Sequence, residues 1–118
     1  MARRLEGSIE AAACKKIKAE LGVDSLKLNL RGNRGWPDRL FFIPGGRPLL
    51  IEFKRPGTEP EPLQVYRHNQ LKEWDYAIEV HDTTEGAFRA VARAVEAAQV
   101  PKGRGQVAPR ARVRRTVR

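Results

Sequence analysis

Asp38, Glu52 and Lys54 are the residues whose types and spacing offer chemistry. Gly35-Trp36-Pro37-Asp38 is followed, after 13 residues, by Glu52-Phe53-Lys54. The chain between reads as two strands, 39–43 and 48–54, joined by the tight turn Pro44-Gly45-Gly46. Strand side chains alternate faces, so Glu52 and Lys54 share one face while Leu49, Ile51 and Phe53 take the other and enter the core. An antiparallel turn returns the end of the second strand, where Glu52 stands, to Asp38 at the start of the first. Two carboxylates and one ammonium then meet near one end of the hairpin. Oxygen ligands suit a hard divalent cation, and Mg²⁺ takes one or two protein carboxylates plus waters and substrate phosphate. A lysine beside such an ion neutralises charge developing on a phosphate or helps deprotonate a water. On residue types alone a salt bridge between Lys54 and a carboxylate is the commoner outcome, and surface pairs of that kind contribute little.

The elements that must position these groups follow from periodicity. Residues 8–21 read as a helix, with Ser8 as N-cap and Gly22 as its stop. Ala13, Cys14, Ile17 and Leu21 fall on one face, and Glu10 falls inside that face while Lys15 and Lys18 point away. A carboxylate on a core-facing stripe needs a partner, because an unpaired buried charge is costly. Residues 26–30 alternate as a half-buried strand, and 31–37 form a basic loop. Residues 55–62 are a second loop. Leu63 to about Asp75 reads as a helix with Leu63, Tyr66, Leu71 and Trp74 along one side. Residues 77–81 form a short strand, and a helix from about Glu85 to Gln99 turns Phe88, Val91, Ala92 and Val95 inward. Pro101 closes the fold. The order α-β-β-β-α-β-α predicts an α/β fold with a mixed sheet flanked by helices.

The chain has 118 residues and a formal charge of +9. Seven of its basic residues, with no acidic ones, lie in 101–118, so the first 100 residues carry only +2. The basic character therefore describes a tail, which is expected to be disordered and to meet a polyanion, nucleic acid by default. One cysteine, Cys14, excludes an intrachain disulfide and a Cys-based zinc site, and fits a reducing, cytoplasmic setting. No apolar run approaches the roughly 20 residues of a membrane span, and the N-terminus does not read as a secretory signal. Cys14 reads as a core residue. His68 and His81 read as ordinary helix-face and strand residues, since neither has a second nitrogen ligand at suitable spacing. Lys27, Arg31, Arg34, Arg39 and Arg55 cluster by sequence around the acidic pair and are candidate phosphate contacts, as are Lys102, Arg104, Arg110, Arg112, Arg114 and Arg115 in the tail. A solvated basic face is the plainer alternative. Trp36 could stack on a base or simply cover the hairpin.

The ordered set Ser8-Ile9-Glu10, Arg34-Gly35-Trp36-Pro37-Asp38, a Pro-Gly-Gly turn, Ile51-Glu52-Phe53-Lys54-Arg55-Pro56-Gly57 and Pro62-Leu63-Gln64 closely resembles the PD-(D/E)xK nucleases, and more narrowly the small stand-alone VRR-NUC domains. The likeness runs from about Ser8 to Glu85, with Asp75-Tyr76 standing where many members carry glycine. The resemblance implies a restriction-endonuclease-like domain over 1–100 and metal-dependent phosphodiester hydrolysis with Mg²⁺ or Mn²⁺. It implies Asp38, Glu52 and the Phe53 backbone carbonyl as metal ligands, Lys54 as the group that orients the attacking water, and Gln64 as its support. Glu10 becomes the helix-borne site acid, or Glu6 if the helix starts earlier. The same likeness implies DNA as substrate, branched (a Holliday junction or flap) or duplex, and a homodimer. The rival readings are a non-catalytic DNA-binding module and a sequence-specific restriction-type enzyme.

Overall fold

The computed structural model describes residues 2–30 and 34–99, with side chains from residue 5 onward. Its elements in chain order are α1 (Ala2–Leu21), β1 (Ser25–Lys27), β2 (Arg39–Phe41), β3 (Leu49–Phe53), α2 (Pro62–Glu73), β4 (Ala77–His81) and α3 (Thr84–Gln99). The sheet order is β1-β2-β3-β4. The β1–β2 and β2–β3 pairs are antiparallel and β3–β4 is parallel. A parallel pair needs a crossover, and α2 supplies it. The hairpin turn closes with the Gly46 N–H on the Ile43 carbonyl at 3.0 Å, and Gly45 takes the left-handed φ of +76° that such a turn demands.

β3 is buried along its whole length, as a central strand covered on both faces should be. Ile51 and Phe53 point to one side and join Phe41, Leu49, Ala13, Ile17, Ala87, Ala90 and Val91 in the core. α1 and α3 cover that face and touch each other. Alanines at 13, 87 and 90 permit the close approach. Glu52 belongs to the opposite face, and α2 lies there.

Three local expectations are corrected. α1 begins at Ala2, so Ser8 is an exposed mid-helix residue and no N-cap. Its apolar stripe extends back through Ile9, which packs on the core, so the helical pattern does not stop at Ser8. β1 ends at Lys27, short of Leu30: the Leu28 N–H still reaches the Asp38 carbonyl at 2.8 Å, but the Leu30 N–H turns back to the Leu28 carbonyl at 2.8 Å and the chain bends away. Its alternation is inverted from the apolar reading: Lys27 shares the α1 side of the sheet with Arg39 and Ile51, and Leu26 is half exposed. α2 buries His68 and Leu71 and leaves Leu63, Tyr66 and Trp74 largely exposed. Its inward stripe is Gln64, His68 and Leu71, at i, i+4 and i+7, and two polar members hide that stripe from a hydrophobic pattern. On α3 the buried residues are Ala87, Ala90 and Val91, with Phe88 and Val95 partly buried against the core and Ala92 less involved.

Candidate active site

The register Arg39↔Ile51 continues one residue further to set Asp38 against Glu52. The Phe53 N–H donates to Asp38 Oδ2 at 2.7 Å, tying the acid to the strand beside it. Asn29 Nδ2 holds the other oxygen, Oδ1, at 3.0 Å. Both acids are buried, Asp38 at 7% and Glu52 at 2% exposure. Pro37 and Gly35 deliver the loop to this point. Gly35 has φ +85°, and a Cβ there would lie 2.7 Å from Leu63 Cγ, so the loop runs directly against α2. Trp36 lies under the Arg67 guanidinium, 4.4 Å from the ring centroid, which engages it with the protein itself.

Glu52 is reached from α2 by Gln64. The Gln64 Oε1 accepts the Glu61 N–H at 2.8 Å, which fixes the amide, and its Nε2 then donates to Glu52 Oε2 at 2.6 Å. Lys54 Nζ stands 3.7 Å from the same oxygen and is itself buried. The Lys54 N–H bonds the His81 carbonyl at 2.9 Å, so the residue stays in the sheet's extended conformation. The second carboxyl oxygen, Glu52 Oε1, is buried and has no hydrogen-bond partner among the described residues. Burial, and next the neighbouring Asp38, push the Glu52 carboxyl up to about 8, with Lys54 and Gln64 opposing and Glu6 adding to the rise. Two buried carboxyl groups lie side by side, with Lys54 3.7 Å from Glu52, Lys27 4.0 Å from Asp38 and one Glu52 oxygen unpartnered. That is the donor set a hard divalent cation completes. No group of three or more His, Cys, Asp or Glu side chains is gathered for a metal among the described residues.

Glu10 has the partners that a carboxylate on the apolar face requires. Its carboxylate accepts from Lys27 Nζ at 2.8 and 2.9 Å and from Arg39 Nε at 2.7 Å, a partly buried ion-pair cluster. Lys27 and Arg39 are thereby engaged by Glu10, with Lys27 still lining the cleft beside Asp38, while Arg34 and Arg55 are exposed. Because α1 starts early, Glu6 sits one turn before Glu10. It lines a cleft of about 490 Å³ with Glu10, Lys27, Asn29 and Asp38. Arg31 and the tail residues Lys102, Arg104, Arg110, Arg112, Arg114 and Arg115 lie outside the described residues. The sequence reading does not single out Asn29 and takes His68 only as an ordinary helix-face residue. The hairpin register carries a signal for Asn29, and the four-residue step from Gln64 carries one for His68.

A mixed sheet with two buried acids opposed across a hairpin, and a lysine two residues past the second, is the arrangement of the restriction-endonuclease-like nucleases. A solved structure described as a VRR_NUC domain matches with a TM-score of 0.61 and 28% identity, over 78% of this chain and 95% of that one. The “Putative nuclease p44” of Acyrthosiphon pisum secondary endosymbiont phage 1 is 32% identical over 80 residues, 68% of this chain and 85% of the phage protein. The chain belongs to the VRR-NUC nuclease family. No protein-family model matches the sequence. As a VRR-NUC nuclease it has a restriction-endonuclease-like fold. No helix among its described residues is long and apolar enough to cross a membrane.

Proposed function

We propose that this nuclease is a Mg²⁺- or Mn²⁺-dependent endonuclease that hydrolyses phosphodiester bonds of DNA, with Asp38, Glu52 and Lys54 at its centre. The observation that carries the reading is the buried, unpartnered Glu52 Oε1 opposite Asp38, with the Lys54 ammonium on the same side. Asp38 and Glu52, with the Phe53 carbonyl, would hold the cation. When bound, a divalent ion neutralises charge on the phosphate and acidifies water. Lys54 orients the attacking water and stabilises the crowded phosphate, and Gln64 keeps Glu52 turned to its task. Asn29 and the Phe53 N–H hold Asp38 rigidly, as preorganised sites require.

Glu6 is the helix-borne acid in this proposal. Its side chain lines the cleft and is felt at Glu52, whereas Glu10 is engaged by Lys27 and Arg39. Glu10 anchors the two cations and the end of β1. A branched substrate and a homodimer come from the family resemblance, and a two-fold pair of sites suits a two-fold junction. The test is cleavage of labelled linear, flap and four-way DNA side by side, with Mg²⁺, Mn²⁺ or EDTA. Wild type is expected to cut in the divalent ions alone. Asp38→Asn and Lys54→Ala should bind DNA and fail to cut. Binding without cutting in every ion would instead make the chain a DNA-binding module.

A further inference from the structure

His68 lies one turn beyond Gln64 on the inward stripe of α2 and is 6% exposed. Its Nε2 has no hydrogen-bond partner among the described residues. Buried polar groups are nearly always paired, so an unpaired one points to a partner that arrives in another state. Burial first, then Lys72 and Lys54, hold the ring below the usual imidazole range, with Asp38 opposing. A neutral imidazole has one donor and one acceptor nitrogen, and with the proton on Nδ1 the unpartnered Nε2 is the acceptor. Gln64, one turn earlier on the same stripe, and Lys54 both reach Glu52 Oε2, so the ring lies one turn from the point where they meet.

Lys54 is the complementary group. Its ammonium carries three donors and is nearly buried. The ion pair it makes, to Glu52 Oε2 at 3.7 Å, is longer than a hydrogen bond. If a cation draws Glu52 toward itself, this pairing weakens and the ammonium needs a neutral acceptor to keep its aim. DNA cannot fill the vacancy at His68 directly, because the nitrogen is inside the protein.

We propose that His68 is a positioning residue whose Nε2 accepts a hydrogen bond from the Lys54 ammonium when Glu52 turns to a cation, holding that ammonium toward the scissile phosphate. This rests on the reading of Asp38 and Glu52 as a cation site.

Two measurements on the full chain test it. In ¹⁵N-histidine-labelled protein, adding Ca²⁺ or Mg²⁺ should move the His68 Nε2 resonance toward that of a hydrogen-bonded acceptor, and Lys54→Met should abolish the response. In cleavage assays, His68→Leu should lower kcat about tenfold to a hundredfold, the range for losing a group that orients a site residue. KM for DNA and Tm should stay near wild type. His68→Gln, whose amide oxygen reaches the place of Nε2, should recover most of the rate. A resonance that responds identically in the Lys54→Met protein, or His68→Leu cutting at the wild-type rate, overturns the proposal while leaving the nuclease reading intact. A wild type that cuts no DNA, with a His68 signal indifferent to every divalent ion, overturns both.

Discussion

Replacing Glu52 by glutamine should stabilise the metal-free protein, and by an amount that grows with pH. The carboxyl titrates at about 8 in the folded chain against 4.5 as a free group, raised chiefly by burial and by Asp38. Between those values the native state holds a proton that the unfolded chain has released. Stability therefore falls as pH rises from about 4.5 to about 8, and levels off above. At about 1.4 kcal/mol per pKa unit, the Glu52 penalty at pH 7 is about 3 kcal/mol, as an order of magnitude. Glu52 is essentially unexposed, so solvent screening does not erase it. Glutamine keeps the shape and an oxygen for the Gln64 amide while removing the titration. Urea unfolding in EDTA at pH 5, 6, 7 and 8 measures the difference between the two proteins. It should widen by about 3 kcal/mol across that range in favour of Glu52→Gln. A divalent cation takes the carboxylate in its charged form, so its affinity for wild type should rise about tenfold per pH unit below pH 8. Equal pH slopes for both proteins in EDTA would refute the argument, because Glu52 would then be titrating as an ordinary carboxylate.

Gly35→Ala should destabilise the fold by about 2 kcal/mol, since a side chain is strained at φ +85° and meets Leu63; a denaturant midpoint equal to wild type would show that the loop yields. Glu10→Ala should cost about 2 kcal/mol, less than a fully buried pair because Lys27 and Arg39 are partly exposed, and should be visible in Tm. Glu6→Gln should leave Tm nearly unchanged and weaken Mn²⁺ binding by calorimetry; the reverse pattern would return the helix-borne role to Glu10. Deleting residues 102–118 should lower DNA affinity and flatten its dependence on salt, because seven basic residues leave with the segment, and unchanged binding at every ionic strength would make the tail passenger sequence.

The meeting of Asp38, Glu52 and Lys54 was legible in the chain because it is a local matter. A Pro-Gly-Gly turn sets the hairpin register, and the two-residue period of a strand puts Glu52 and Lys54 on one face. The order of elements was legible for the same reason, since each is written in its own periodicity. What Glu10 does was not, because its partners Lys27 and Arg39 are brought to it from another element only when α1 packs on the sheet. The inward face of α2 was misread because Gln64 and His68, both polar, occupy it. Their burial depends on what β3 presents to them, and Glu52 is the acceptor that turns Gln64 inward. Spacing along the backbone determines which groups can share a site. The charges that meet there across elements, and so their protonation and their freedom to bind an ion, are decided only when helix and sheet close over one another and exclude water.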